Sequence, residues 1–263
     1  MRYAWITGGR NTAGGENNQM KVITARDELE LDDLAADIIE ETVRCTPECC
    51  LGLATGTSYV GVYRKLIERY SAGRLSFAGV RCVNLDEYAG LPQDHPQSFR
   101  SFLEEHLLRY VDVDPNRVFV ASGMGDLDEN VREFADYLSR YKRDLQLLGV
   151  GANGHIGFNE PGKSLHDGAH REKLLEKTRR DNARFFPAPK EVPYEAITMG
   201  IGDILRARRI LLIIKGEKEQ AAKELLCGDR ITSECPVTFL KLHSDITVLM
   251  TEDMGARVIA TLG

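Results

Sequence analysis

The chain has 263 residues, of which 43% are hydrophobic and 28% are charged, and its formal net charge is −6 at pH 7. These values are typical of a globular protein that can bury a sizeable core. The negative charge argues against nucleic acid or an anionic membrane as a partner, but it leaves room for an anionic small molecule, which needs only a local cluster of donors. The apolar runs, such as residues 210–214, have the length of a strand and are much shorter than the roughly 20 residues of a membrane helix.

The sequence contains no pattern of a targeting segment or of a metal site. Its N-terminus lacks the hydrophobic segment and the small-residue cleavage site of a signal peptide, so we expect a cytoplasmic protein. The six cysteines form no repeated C-x-x-C pair and have no histidines at zinc spacing. We therefore expect no metal and interpret the cysteines as packing residues, with a regulatory thiol at Cys49 or Cys50 as the alternative.

Residues 1–19 are polar and rich in glycine and are predicted to form a loose extension, so the folded domain is expected to span residues 20–263. Within the domain, a first strand is predicted at 21–24. A first helix is predicted at 27–44, where apolar residues recur on one helical face. Further elements follow in alternation: strands at 50–54, 80–84, 118–120, 147–150, 196–200, 209–214 and 246–250, and helices at 62–70, from 96, at 130–141 and at 216–226.

This alternation of strands and helices predicts a single-domain α/β protein. We expect a Rossmann-like, mostly parallel sheet of about six or seven strands, with helices on both faces and the functional loops gathered at one edge. Residues 163–183 are strongly charged and poor in core residues, so they can form a mobile flap.

The most informative stretch is residues 147–161, which begins as an apolar strand and then contains four glycines in nine residues. Such a stretch predicts a tight loop at the carboxyl end of a strand, where open α/β sheets bind their ligands. The loop contains His155 and Glu160, and a histidine beside a carboxylate is expected to titrate near neutrality and to transfer protons. The alternative is a glycine-rich turn in which His155 only hydrogen-bonds the backbone.

A second candidate site is the Thr-Gly-Thr-Ser sequence of Thr55, Gly56, Thr57 and Ser58, between a strand and a helix. Hydroxyls and unpaired N–H groups at a helix N-terminus bind anions. The alternative is that Thr57 or Ser58 is only the capping residue of the helix. The Gly-Lys-Ser/Thr ending of a P-loop is absent from this sequence.

The adjacent carboxylates of Asp86 and Glu87 follow the predicted strand 80–84. At the carboxyl end of a strand, one of them can be a working base while the other is held in hydrogen bonds. The alternative is a solvated acidic turn.

Five stretches together resemble the motifs of the glucosamine-6-phosphate deaminase family, in the order and spacing of that family from about residue 20 to the end. The stretches are LGLATGTS at 51–58, NLDEYAGL at 84–91, GVGANGHIGFNEP at 149–161, NARFF at 182–186 and CPVTFLKLH at 235–243. The related 6-phosphogluconolactonases share the fold and a Gly-x-Gly-x-Asp-Gly-His core, but they continue into a Ser-Leu-Phe-Pro pattern. Residues 157–161 have the deaminase form instead.

The resemblance implies an aldose-ketose isomerisation with deamination in amino-sugar catabolism, classed as hydrolysis of a carbon–nitrogen bond. D-glucosamine 6-phosphate and water would give D-fructose 6-phosphate and ammonia. Asp86 would be the base, and His155 would open the sugar ring, oriented by Glu160 and by Asn153, which stands where some members have Asp. The resemblance assigns six residues to phosphate binding: Thr55, Gly56, Thr57, Ser58, Arg184 and Lys218.

The same resemblance implies that no metal or organic cofactor is needed, because a carboxylate base and an open-chain imine suffice. Lys218 matches the family pattern only with a gap of one residue. His170 and Glu172 stand where activator-regulated members have basic residues, so we expect no activation by N-acetylglucosamine 6-phosphate. The sequence leaves open a homo-oligomer. It also leaves two alternative functions, a 6-phosphogluconolactonase-like hydrolase and a non-catalytic sugar-phosphate-sensing domain.

Overall fold

The computed structural model describes residues 19–260. The predicted extension 1–19 therefore lies outside the described residues, except for Gln19, which begins the first strand. Within residues 19–260 the strands are β1 Gln19–Ala25, β2 Cys50–Leu53, β3 Arg81–Asn84, β4 Asp86–Tyr88, β5 Val118–Phe119, β6 Leu145–Gly149, β7 His170–Lys173, β8 Glu195–Thr198, β9 Arg209–Ile213 and β10 Asp245–Thr251. The α-helices of this part are α1 Glu28–Cys45, α2 Thr57–Ser71, α3 Phe99–His106, α4 Leu127–Arg140, α5 Glu176–Asn182, α6 Ile201–Leu205, α7 Glu219–Leu226 and α8 Glu252–Ile259.

Seven strands form a parallel sheet in the order β1-β10-β9-β6-β2-β3-β5. Side chains alternate between its two faces, as the period of a strand requires. Leu145 and Leu147 of β6 pack into a core with α1, α2 and α3. Leu148 of the same strand packs into a second core with α4, α6, α7 and α8. The prediction of a parallel sheet with helices on both faces is confirmed.

A second sheet corrects the prediction of one sheet for the whole chain. Three short strands pair antiparallel in the order β4-β8-β7, with Asp86 opposite Thr198 on one side and His170 opposite Thr198 on the other. The predicted strand at 196–200 is therefore a strand, but it belongs to this small sheet. Its partners are polar segments of three and four residues, which have no hydrophobic pattern that could predict the pairing.

The charged segment 163–183 contains β7 and all of α5. It is less poor in core residues than its composition indicates, because His170, Leu174 and Thr178 are all buried. These residues alternate with exposed charges, so that one side of the segment faces inward. There Leu174 packs in a cluster with the aromatic rings of Tyr88, Phe158 and Phe186. None of the helices in residues 19–260 is long and apolar enough to cross a membrane.

Candidate active site

A pocket of about 870 Å³ opens at the carboxyl ends of β2, β3, β6 and β9. β2 and β6 are neighbours from which the strand order continues outward in opposite directions, and open parallel sheets bind ligands at such a crevice. Asn153 and Glu160 lie beside His155 and hydrogen-bond each other. The other eight residues predicted from the sequence line the pocket: Thr55, Gly56, Thr57, Ser58, Asp86, His155, Arg184 and Lys218.

The anion site predicted at residues 55–58 is the open N-terminus of α2. Gly56 is the N-cap residue, with a φ of 97°, and no side chain caps the helix. Thr57 and Ser58 are therefore not capping residues, which was the alternative interpretation of this motif. The first N–H groups of a helix have no helical partners, and the helix dipole favours a negative charge there. This end of α2 can therefore bind a phosphate group.

Among residues 19–260, three cationic side chains line the same pocket, and one of them, Lys215, is paired with Asp32. Arg184 lies in the 3-10 turn Ala183–Phe185, with its guanidinium 4.7 Å from the ring centroid of Phe185. Lys218 is the residue before α7. Burial lowers the pKa of Lys218, and the nearby charge of Arg184 lowers it further, as expected of two cations that share one site. The structure thus brings Lys218 to the pocket despite the one-residue gap in the sequence pattern.

Asp86 and Glu87 are both buried, but their carboxylates have different surroundings. Glu87 accepts backbone N–H groups from Tyr88, Phe99 and Arg100 at 2.9 to 3.0 Å, and the last two belong to the first turn of α3. The carboxylate of Asp86 accepts no hydrogen bond from residues 19–260, and Asp86 lines the pocket. Glu87 is therefore a structural anchor, whereas Asp86 is free to react.

The pKa values of both carboxyls are raised. Burial raises the pKa of Asp86 well above its ordinary value, and the neighbouring charge of Glu87 raises it further. Burial also raises the pKa of Glu87 to about 7, although its three backbone hydrogen bonds oppose this effect. A carboxylate with a raised pKa is a stronger base than an ordinary aspartate, which suits Asp86 to remove a proton from carbon.

Two glycines bring the loop after β6 close to the other parts of the site. A Cβ atom on Gly151 would lie 2.1 Å from Cε1 of His155, so the imidazole can stack against the backbone only where a side chain is absent. Gly157 has a φ of 57°, and a Cβ there would lie 2.9 Å from Oγ1 of Thr198 and 3.5 Å from Oδ2 of Asp86. The loop therefore lies close to the imidazole of His155 at Gly151 and close to the carboxylate of Asp86 at Gly157.

His155, Asn153 and Glu160 form a connected set. Oδ1 of Asn153 accepts the backbone N–H of His155 at 3.2 Å, and its Nδ2 donates to Oε2 of Glu160 at 3.0 Å. Nδ1 of His155 lies 3.7 Å from the same carboxylate oxygen. An aspartate at position 153 could not donate to Glu160 unless it were protonated, so the amide gives this carboxylate a donor. The distance of 3.7 Å exceeds a hydrogen bond, as is common in active sites without substrate.

His155 differs from the expectation of a group that titrates near neutrality. About one fifth of its side chain is exposed. Burial lowers the pKa of His155 to about 4, and the positive charges of Lys218 and Lys177 also disfavour the imidazolium. The imidazole is therefore neutral at pH 7 and can accept a proton when a reaction supplies one.

Sequence reasoning missed several residues of the pocket. Thr178 of α5 is buried at the pocket wall, and Asn182 of the same helix donates to the hydroxyl of Tyr88 at 2.8 Å. Thr178 and Asn182 are four residues apart, so they share a helix face, and this spacing could have indicated both. Phe99 and Phe158 pack on the ring of Tyr88 at centroid distances of 4.8 and 5.3 Å and give the pocket an apolar side.

Comparisons with known proteins identify the family of the chain. A family model described as glucosamine-6-phosphate isomerases/6-phosphogluconolactonase matches residues 27–249. The chain belongs to this family. A glucosamine-6-phosphate deaminase of Clostridium perfringens (strain 13 / Type A) is 44% identical over 240 residues, which are 89% of this chain and 98% of that relative.

Solved structures of the same family distinguish its two branches. A monomeric glucosamine-6-phosphate deaminase matches at a TM-score of 0.87 and 42% identity, covering 90% of this chain and 100% of its own. The 6-phosphogluconolactonase from Trypanosoma brucei matches at a TM-score of 0.74 but at only 16% identity, over 93% of this chain and 99% of its own. The second likeness shows a shared fold, whereas the first extends to the sequence.

Proposed function

We propose that the chain is a glucosamine-6-phosphate deaminase, an enzyme that converts D-glucosamine 6-phosphate and water to D-fructose 6-phosphate and ammonia. One observation carries the proposal. A buried carboxylate that accepts no hydrogen bond from residues 19–260, a neutral histidine backed by a carboxylate, and an anion site meet in one pocket. The names of the similar relatives and of the solved deaminase support the same activity.

The phosphate group of the substrate binds at the N-terminus of α2, between Arg184 and Lys218. Each hydrogen bond between a charged donor and a phosphate oxygen is short and strong. This contact is remote from the reacting carbons, so its binding energy holds the sugar in place for the reaction. The anchor also explains why the substrate is a sugar phosphate and not a free sugar.

Ring opening is the work of His155. Its neutral imidazole accepts the proton of the anomeric hydroxyl and returns a proton to the ring oxygen, which breaks the bond between C1 and that oxygen. Glu160 stabilises the imidazolium that forms between these two transfers, and Asn153 holds Glu160. The lowered pKa of His155 keeps the base form available at neutral pH.

Asp86 is the base of the isomerisation step, and deamination follows that step. Its carboxylate removes the proton from C2 of the open-chain sugar and delivers it to C1, through an enolamine. A proton also passes from the amino nitrogen to O1, so the product is an imine at C2. Water adds to this imine and ammonia leaves, which gives the ketone. The proton transfers that accompany these bond changes are ones that the residues of the pocket can perform as general acids and bases.

A coupled assay tests the proposal. The protein is incubated with glucosamine 6-phosphate, and release of ammonia and formation of fructose 6-phosphate are measured together. A parallel reaction with 6-phosphogluconolactone measures hydrolysis by the lactonase branch of the family. We expect ammonia and fructose 6-phosphate in equal amounts and lactone hydrolysis at the background rate. Lactone hydrolysis without ammonia release, or binding of either compound without turnover, would contradict the proposal.

A further inference from the structure

Glu160 is held between two segments that are distant in the sequence. From the loop after β6, Asn153 donates to Oε2 of its carboxylate at 3.0 Å, and His155 lies beside the same oxygen. On the other side, the backbone N–H of Leu175 donates to Oε1 at 3.3 Å. Leu175 is the residue before α5, so this helix begins at the carboxylate.

Thr178, one turn further along the same helix, is a second group near Glu160. Its side chain is 2% exposed and lies at the pocket wall. Burial raises the pKa of Glu160, and the nearby hydroxyl of Thr178 opposes this effect. Oγ1 of Thr178 completes no hydrogen bond with any residue in 19–260, and the same is true of Nδ1 of His155. Two buried polar atoms without partners among residues 19–260 therefore lie near one carboxylate.

A buried polar atom without a hydrogen-bond partner destabilises the folded protein. The Glu160 carboxylate can satisfy both of these atoms after a small movement. A hydroxyl bond on the Oε1 side would restrict the rotation of the carboxylate, and Oε2 would then face His155. The closer contact between Oε2 and Nδ1 is the one that ring opening requires.

We infer that Thr178 is a positioning residue for ring opening, whose hydroxyl orients the carboxylate of Glu160 toward His155. The inference rests on the proposed function, because it assigns a purpose to Glu160 only if His155 opens the sugar ring. Thr178 itself does not transfer a proton. Arg184 follows α5 in the chain, and in the proposed function it is Arg184 that contacts the phosphate group.

The test replaces Thr178 with valine, which has nearly the same shape but no hydroxyl. Thr178→Val should lower kcat about tenfold or more, the effect of losing one hydrogen bond to a charged group. We expect KM and the inhibition constant of inorganic phosphate to change less than about threefold, because the anion site is intact. Thr178→Ser, which keeps the hydroxyl, should retain at least a third of the wild-type kcat. Thr42→Val is the matched control, because Thr42 is also buried in a helix and donates its hydroxyl to a backbone carbonyl, but it lies outside the pocket.

An open-chain analogue of the substrate distinguishes positioning from a general loss of structure. Thr178→Val should slow the cyclic substrate much more than the analogue, which is also the signature expected of His155→Gln. Equal losses on both substrates, an equal loss in Thr42→Val, or a wild-type kcat in Thr178→Val would overturn the inference. If the valine variant does not fold, Thr178→Ala removes the same hydroxyl without adding volume, and the same criteria apply.

Failure of the inference can be separated from failure of the proposed function. If Glu160→Gln is strongly impaired while Thr178→Val is unaffected, only the role of Thr178 is wrong. If Glu160→Gln and His155→Gln both keep wild-type ammonia release, the proposed mechanism is wrong and the inference falls with it.

Discussion

Two adjacent carboxylates, Asp86 and Glu87, show how the surroundings of a side chain determine its chemistry. They are both buried, and burial raises the pKa of each. Glu87 accepts three backbone N–H groups, whereas Asp86 has an oxygen near Gly157 and faces the pocket. Two adjacent acidic residues thus differ: Glu87 is a structural anchor, and Asp86 is the proposed base.

At the scale of this single residue, we expect Asp86→Asn to abolish turnover while sugar-phosphate binding stays nearly unchanged. Loss of a general base typically lowers the rate by about 100-fold to 10,000-fold. The measurements are ammonia release and exchange of the C2 proton with solvent, together with the binding of fructose 6-phosphate. Ammonia release close to the wild-type rate would show that another group removes the proton.

The pH dependence of the wild-type enzyme tests the same residue. Asp86 must be ionised to act as a base, and its pKa is raised well above the ordinary value by burial and by Glu87. Activity should therefore be lost as the pH falls through this raised pKa, so the acid limb of kcat/KM lies at a higher pH than an ordinary aspartate produces. The profile of kcat/KM between pH 4 and 9 measures it, and an acid limb near the usual aspartate value of about 4 would contradict the assignment.

At the scale of the element, α3 depends on a carboxylate from another part of the chain. Phe99 and Arg100 in its first turn donate to Glu87, and Ser98 caps the helix. The helix dipole favours a negative charge at this end. These hydrogen bonds hold the short strand β4 against helix α3. They therefore also fix the position of Asp86, which is the first residue of β4.

We expect Glu87→Ala to destabilise the fold by at least about 2 kcal/mol, because buried N–H groups lose their acceptor. Activity should also fall, since β4 carries Asp86. Asp126→Ala is the matched control: Asp126 accepts two N–H groups at the start of α4, but it lies away from the pocket. Its loss should destabilise the fold less, because this N-cap is exposed to solvent, and it should leave activity unchanged. Denaturant unfolding and ammonia release measure both effects, and equal losses in the two variants would refute this role of Glu87.

At the scale of the whole molecule, the small antiparallel sheet contains positions 170 and 172. The family resemblance implies that activator-regulated members have basic residues at these two positions. β7 places His170 and Glu172 on one face, and their side chains lie 3.2 Å apart, Nε2 to Oε2. Arg171 is on the other face and pairs with Asp128 and Glu195 at 3.0 and 2.8 Å. A phosphate group at these positions would meet a carboxylate, and the nearest arginine is already engaged.

We therefore expect hyperbolic kinetics and no activation by N-acetylglucosamine 6-phosphate. Charge-assisted hydrogen bonds contribute about 1.5–3 kcal/mol each, so two missing cations remove enough energy to abolish a several-fold allosteric shift. Rate curves measured with and without the acetylated sugar phosphate decide the matter, and sigmoidal curves that become hyperbolic when it is added would prove this expectation wrong.

The sequence by itself determined the parallel sheet, the helices on both faces and the edge at which the site lies. These features follow from local patterns: alternating or continuous apolar runs, helical periodicity, and glycines after the strands. Position along a strand also placed Asp86, His155 and the residues of 55–58 near one another, because the carboxyl ends of parallel strands meet at one edge.

Only the tertiary structure decided the pairing of β4, β8 and β7, the division of roles between Asp86 and Glu87, and the neutrality of His155. Each depends on groups that are far apart in the sequence. β7 and β4 are short and polar, so they have no hydrophobic periodicity from which their pairing with β8 could be predicted. The pKa of His155 depends on burial and on Lys218, 63 residues away in the chain (218 − 155). Burial and long-range charge are properties of the folded arrangement, and a linear pattern does not contain them.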